Sequence, residues 1–251
     1  MAELIIIGSG TGIPSLRRAS PALIIISSGT RILIDSGAGT LRKLLEVGIT
    51  YRDVDLLLYT HIHPDHVSDL VPILFASKYA DLPRERDLLC IGGPGFRNYF
   101  EKLKKIYRHW IEPNSYQLTV RETSGEPLLY RDLRITSKPM AHISESIGYR
   151  IEFIDGKSIA VSGDTDYCQN IVDLGFGVDV LVLECSFPEG KKVEGHLTPS
   201  LAGKIALESG GNKLVLTHLY PICDQFDIVN QCRRFYRGEI ILGEDLLRVG
   251  I

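Results

Sequence analysis

Four side chains able to hold a metal ion fall within six positions in His61-Ile62-His63-Pro64-Asp65-His66. Imidazole and carboxylate groups at alternating positions of a tight loop can converge on one point. The Asp65-His66 pair, opening a following helix, can face a second. The spacing supplies ligands for two adjacent divalent cations. Nitrogen and oxygen donors of this kind suit zinc first, with manganese or iron also compatible, and a catalytic site leaves one position open for water. The bland alternative is a chance cluster of surface histidines.

Strands must deliver these groups. The motif follows the apolar run Leu56-Leu57-Leu58-Tyr59 and precedes Val67 to Tyr79, where apolar residues recur at helical spacing with Pro72 near the first turn. His142 closes the strand ending Lys138-Pro139-Met140-Ala141, and His218 terminates Leu214-Val215-Leu216-Thr217, echoing Thr60-His61. Strand-end loops are where functional groups collect. Asp164, in Gly163-Asp164-Thr165, lies just past the apolar strand Ser158 to Ser162. A carboxylate there can bridge two cations, although Gly-Asp-Thr is also a common capping turn. Asp35 follows Arg31-Ile32-Leu33-Ile34, the second arm of a hairpin turning at Ser28-Gly29-Thr30. It can cap a turn or orient the His61–His66 loop from behind, and the nearness of that loop favours the second role. Thr40 is the expected N-cap of the next helix and Gly48 marks its stop. His109, after the basic stretch Lys102 to Arg108, reads as a surface residue.

Together these residues resemble the metallo-β-lactamase superfamily of hydrolases. Gly8-Ser9-Gly10-Thr11-Gly12, Asp35, the His61–His66 motif, His142, Asp164 and His218 stand in that superfamily's order. The resemblance implies a four-layered αββα sandwich with a dinuclear site at its sheet edges. It also implies that His61, His63 and His142 hold one metal and Asp65, His66 and His218 the other, with Asp164 bridging.

That metal set does not choose among thioester, lactam and phosphodiester hydrolysis. Glu184, ending the strand Val180 to Leu183, and Gly195-His196-Leu197-Thr198-Pro199, opening a helix with Thr198 as N-cap, resemble the ribonuclease Z-like phosphodiesterase branch. A histidine oriented by a carboxylate beside a dimetal centre suits proton donation to a leaving alkoxide. Asp65 is then expected to orient the metal-activated nucleophile or to deprotonate the water that gives rise to it, with His196 and Glu184 serving the leaving group. Arg17 and Arg18, in the glycine-rich loop, are candidate phosphate contacts. Only a compact hairpin around Asp155-Gly156 separates His142 from Asp164, where common bacterial ribonuclease Z carries a long tRNA-binding arm. A small cyclic phosphodiester is therefore as good an expected substrate as an RNA 3′ end. A thioester or lactone hydrolase, or a non-catalytic metal-bearing binding protein, are the rival readings.

Composition bounds the rest. The 251 residues show no compositional break and read as one domain, 1–251. Twenty-eight basic against 31 acidic residues leave a net charge of −3, which argues against broad electrostatic binding to nucleic acid. Five cysteines without a C-x-x-C pair suggest reduced thiols in cytoplasm. No basic signal region precedes Leu4-Ile5-Ile6-Ile7, and no apolar run reaches membrane-spanning length. Pro14 blocks the helix that a nucleotide-cradling loop at Gly8–Gly12 would need. A homodimer is compatible with the family.

Overall fold

A computed structural model describes residues 2–79 and 83–251. The first half runs β1 (Glu3–Gly8), β2 (Ala22–Ser27), β3 (Thr30–Ile34), α1 (Thr40–Glu46), β4 (Leu56–Leu58), α2 (Pro64–Val67), α3 (Leu70–Tyr79), β5 (Leu88–Gly92), α4 (Phe96–Tyr107) and β6 (Leu118–Glu122). The second runs β7 (Leu128–Tyr130), β8 (Leu133–Pro139), β9 (Ile147–Phe153), β10 (Ser158–Val161), α5 (Gln169–Leu174), β11 (Val180–Glu184), α6 (Pro199–Ser209), β12 (Lys213–Thr217), α7 (Ile228–Cys232), β13 (Glu239–Leu242) and β14 (Arg248–Gly250).

Two seven-stranded sheets result, ordered β14-β1-β2-β3-β4-β5-β6 and β13-β12-β11-β10-β9-β8-β7. Side chains alternate between faces of a strand, and here both faces are apolar. Leu4 and Ile6 of β1, Leu56 and Leu58 of β4, and Val180 and Val182 of β11 meet between the sheets. Ile5, Ile7 and Leu57 face outward beneath α1, α3 and α4, through Leu44, Ile73, Leu74 and Phe100. Leu181 and Leu183 face outward beneath α5, α6 and α7, through Ile171, Ile205 and Ile228. The four-layered αββα sandwich follows from these continuous apolar strands, which need cover on both sides.

In each sheet one half is parallel: β3-β4-β5-β6 in the first and β10-β11-β12-β13 in the second. Parallel strands present their carboxyl ends along one edge, the usual place for a site in such sheets. Asp35, Thr60-His61, Asp164, Glu184 and His218 all lie within three residues after, or at, the ends of β3, β4, β10, β11 and β12.

β6 pairs in parallel with β5 and closes the first sheet. Two expectations about helix caps are refined. Thr40 is the first residue of α1, and Gly39 precedes it in the left-handed region at φ 87°. The cap comes instead from Asp69, whose carboxylate accepts from Gly39 N at 3.2 Å and Leu41 N at 2.7 Å. Thr198 does hold the N-cap position of α6, but its side chain makes no capping bond, and Glu189 Oε1 accepts from Ser200 N at 2.8 Å. Among the described residues no helix is long and apolar enough to cross a membrane.

Candidate metal centre

Asp35 sits directly behind the His61–His66 loop. Its Oδ1 accepts from Thr60 N at 2.8 Å, and its Oδ2 accepts from Thr60 Oγ1 and lies 2.8 Å from His66 Nδ1. Asp35 and His218 both occupy the left-handed backbone region, at φ 57° and 55°. Such conformations cost energy in non-glycine residues and persist where surrounding contacts enforce them.

The ring nitrogens converge. His63 Nδ1 lies 3.0 Å from His61 Nε2 and 3.2 Å from His142 Nε2, while His66 Nε2 lies 3.3 Å from His218 Nε2. Two groups form in which all ligand-type atoms stand within 4.8 Å of one another: His61, His63, His142 and Asp164, and Asp65, His66 and His218. Asp164 faces both. Its Oδ2 is 3.8 Å from His61 Nε2 and 3.9 Å from His142 Nε2, and its Oδ1 is 3.4 Å from His66 Nε2 and 3.3 Å from His218 Nε2. A third grouping, Asp164 with His196 and His218, overlaps the second. It is the weaker set, because His196 Nδ1 is held by Glu184 at 2.8 Å.

These residues fit divalent cations on two observations. Asp164 Oδ1 is buried with no hydrogen-bond partner among the described residues, a costly state for a carboxylate oxygen unless a cation meets it. Facing imidazole nitrogens this close repel through their lone pairs unless a proton or a cation lies between them.

Outward-facing ring atoms are fixed by neighbours. His61 Nδ1 lies 3.0 Å from Thr60 Oγ1, His142 Nδ1 lies 3.0 Å from the Gly195 carbonyl, and His218 Nδ1 lies 2.9 Å from Ser186 Oγ. The glycine-rich loop serves the same end: Gly12 N donates to Asp65 Oδ2 at 2.9 Å, and Leu219 N donates to the Ser9 carbonyl. A Cβ at Gly12 would stand a tight 3.2 Å from that of Asp65. No spacing rule marks Thr60, Ser186 or the Gly195 carbonyl in the sequence.

Burial and the two flanking carboxylates, Asp164 and Asp35, divide the rings. Burial pushes His61 down to about 2, reinforced by His66, so its ring is neutral with a lone pair available. Burial likewise lowers His142. Although burial opposes it, the surrounding histidines, His218 and His66 first, hold Asp164 well below the usual carboxylate range. Asp65 is also lowered against burial, through His218 and His66. His66 is raised despite complete burial, because Asp164 and Asp35 flank it.

Glu184 and His196 adjoin this centre. Besides His196 Nδ1, Glu184 Oε1 accepts from Thr165 N at 3.0 Å, and its Oε2 accepts from Ser186 N and Leu197 N at 3.1 Å each. His196 Nδ1 is 3.9 Å from Asp164 Oδ2. The phosphate contacts expected from Arg17 and Arg18 are not formed by free side chains. Arg18 is buried and donates to Asp224 Oδ1, Ser9 Oγ and the Gly243 carbonyl. That engagement corrects its expected role: it fastens the loop. Arg17 is half exposed and pairs with Asp224 and Glu244. His109 is exposed, its ring against Trp110.

Residues 30–219 match the family described as Beta-lactamase superfamily domain. The chain belongs to the β-lactamase superfamily. Within the superfamily it resembles ribonuclease Z of Mycobacterium avium, 27% identical over 282 aligned positions covering 100% of this chain and 99% of the relative. Among solved structures, the metallo-β-lactamase fold protein YhfI of Bacillus subtilis superposes with a TM-score of 0.87 at 22% identity, covering 100% of each chain. The short form of human tRNase Z superposes with a TM-score of 0.80 at 21% identity, covering 99% of each.

Proposed function

We propose that this superfamily member is a metal-dependent phosphodiesterase of the ribonuclease Z type, acting on an RNA 3′ end or a small cyclic phosphodiester. The observation that carries the reading is the Glu184–His196 pair, 2.8 Å apart and within 3.9 Å of Asp164. The likeness to ribonuclease Z across the whole chain supports it.

His61, His63 and His142 would hold one ion, Asp65, His66 and His218 a second, with Asp164 between them; two zinc ions are our reading of the native metal. When bound, such ions lower the pKa of water at the site and neutralise charge on phosphoryl oxygens. The chain's own groups do the rest. Asp65, fixed by Gly12 N, orients the attacking water or takes its proton. His196 donates a proton to the leaving alkoxide from Nε2, since Nδ1 is committed to Glu184. Glu184 stabilises the imidazolium that carries this proton.

The size of the substrate is read from what is missing. The 282 positions aligned with the mycobacterial relative against the chain's 251 residues leave 31 positions of that relative facing gaps. The connection from His142 to Asp164 is only the hairpin of β9 and β10. Together with the net charge of −3, this supports a small phosphodiester as well as RNA. We read the chain as a single domain, since both sheets furnish ligands and β14 returns to pair with β1. A cytoplasmic place and a homodimer fit this reading.

The test is turnover of bis-p-nitrophenyl phosphate by protein of measured metal content, beside a thioester and a lactone. His196→Ala should lower kcat by about 10²- to 10⁴-fold while both ions stay bound. Cleavage of the thioester or lactone alone would show that the chemistry is carboxylic, and loss of metal in the mutant would make His196 a ligand.

A further inference from the structure

Ser186 is fully buried where β11 leaves the sheet, and its hydroxyl lies between three functional groups. Oγ is 2.7 Å from Glu184 Oε2, 2.9 Å from His218 Nδ1 and 3.2 Å from His196 Nδ1. A hydroxyl has one proton and two lone pairs, and an ionised carboxylate can only accept. The Ser186 proton is therefore committed to Glu184. Its oxygen can then only accept from His218, so His218 must carry its hydrogen on Nδ1. In the neutral ring that a metal requires, Nε2 is then left with the lone pair, facing Asp65, His66 and Asp164 at 3.6, 3.3 and 3.3 Å.

The other ring anchors stay within the ligand set: Thr60 on His61 runs into Asp35, which also holds His66, and the Gly195 carbonyl holds His142. The anchor of His218 alone among these runs on into Glu184, the partner of His196. Glu184 also accepts from Thr165 N, the residue after Asp164.

We propose that Ser186 is a positioning residue that selects the Nδ1–H tautomer of His218 and couples the Asp65–His66–His218 ligand set to the Glu184–His196 pair. The proposal rests on reading His218 as a ligand. Removing the hydroxyl leaves His218 free to choose either tautomer and to rotate, which weakens one ion and not the other. Partners that orient metal-binding imidazoles commonly change affinity by about 10- to 100-fold.

Zinc affinity would be measured by chelator competition on the whole protein for wild type, Ser186→Ala, Ser186→Thr and His218→Ala. Ser186→Ala should weaken one of two ions by about 10- to 100-fold and leave the other within about twofold, with Ser186→Thr restoring most of the loss. Histidine ¹⁵N NMR of the wild-type protein should find the His218 proton on Nδ1. This readout needs no variant to fold. Equal affinity in Ser186→Ala and wild type, where His218→Ala loses an ion, would overturn the coupling alone. Both ions retained in His218→Ala would overturn the ligand reading and the coupling with it. A proton on Nε2 of wild-type His218, or both ions weakened alike in Ser186→Ala, would also overturn it.

Discussion

At the scale of single residues, the carboxylates differ in what surrounds them. Asp35 spends both oxygens on Thr60 and His66, whereas Asp164 keeps one oxygen unpaired. Asp35→Ala should therefore leave every ligand atom present yet lower zinc affinity by about 10- to 100-fold in chelator competition; an unchanged affinity would reduce Asp35 to a turn cap. His196 gives a pH dependence. Burial works against its charge, but Glu184 overcomes it and raises His196 above the ordinary 6.5. The imidazolium thus persists above pH 6.5 and is lost as pH rises further. In Glu184→Gln the alkaline limb of kcat/KM should move to lower pH, and an identical limb in both proteins would separate His196 from the chemistry. Much at this scale was legible in the sequence, because His61, His63, Asp65 and His66 crowd together and Asp35, Asp164, Glu184 and His218 each follow an apolar strand. Ser186 and the Thr60 hydroxyl were not, since a lone hydroxyl beside a strand end has no pattern. Arg18 misled because a basic residue in a loop looks available until Asp224 and Ser9 are brought from 206 residues and nine residues away.

At the scale of elements, the turn between β3 and α1 packs against α2, which carries Asp65 and His66. A Cβ on Gly37 would stand 2.2 Å from the Asp65 carbonyl and 2.5 Å from the Ser20 Cβ. Both are parts of packed segments and cannot simply swing aside. Gly37→Ala should lower stability by about 1–3 kcal/mol, seen in denaturant unfolding, and should weaken metal binding because α2 must shift. Full stability in this variant would mean that the turn yields without disturbing α2. The apolar runs disclosed most strands and helices. What they withheld was partnership: β6 was recognisable as a strand, but nothing in Leu118 to Glu122 says that it pairs with β5 rather than opening a new sheet. The cap of α1 was hidden for the same reason, as Asp69 lies 28 residues beyond Leu41.

At the scale of the molecule, the ligand-type residues are divided between the two halves. His61, His63, Asp65 and His66 follow β4 of the first sheet, and His142, Asp164 and His218 follow β8, β10 and β12 of the second. Ions bound across that division stabilise the native state by mass action, by about 4 kcal/mol for each at a free concentration 1,000-fold above Kd. Chelation should lower Tm by roughly 10 °C or more in calorimetry. An unshifted Tm would mean that the halves hold together without the centre.

The same division governs when the centre can come into being. During synthesis the imidazole-rich loop at His61–His66 is made first, while the final histidine of the set awaits residue 218. The loop beneath Asp65 is tied down later still, when Asp245 accepts from Ser9 N and Ala19 N. A ribosome-bound chain therefore displays half a binding site throughout the synthesis of residues 67–217, and a full ligand set for metal would exist only once β12 and the segment holding Asp245 have left the exit tunnel.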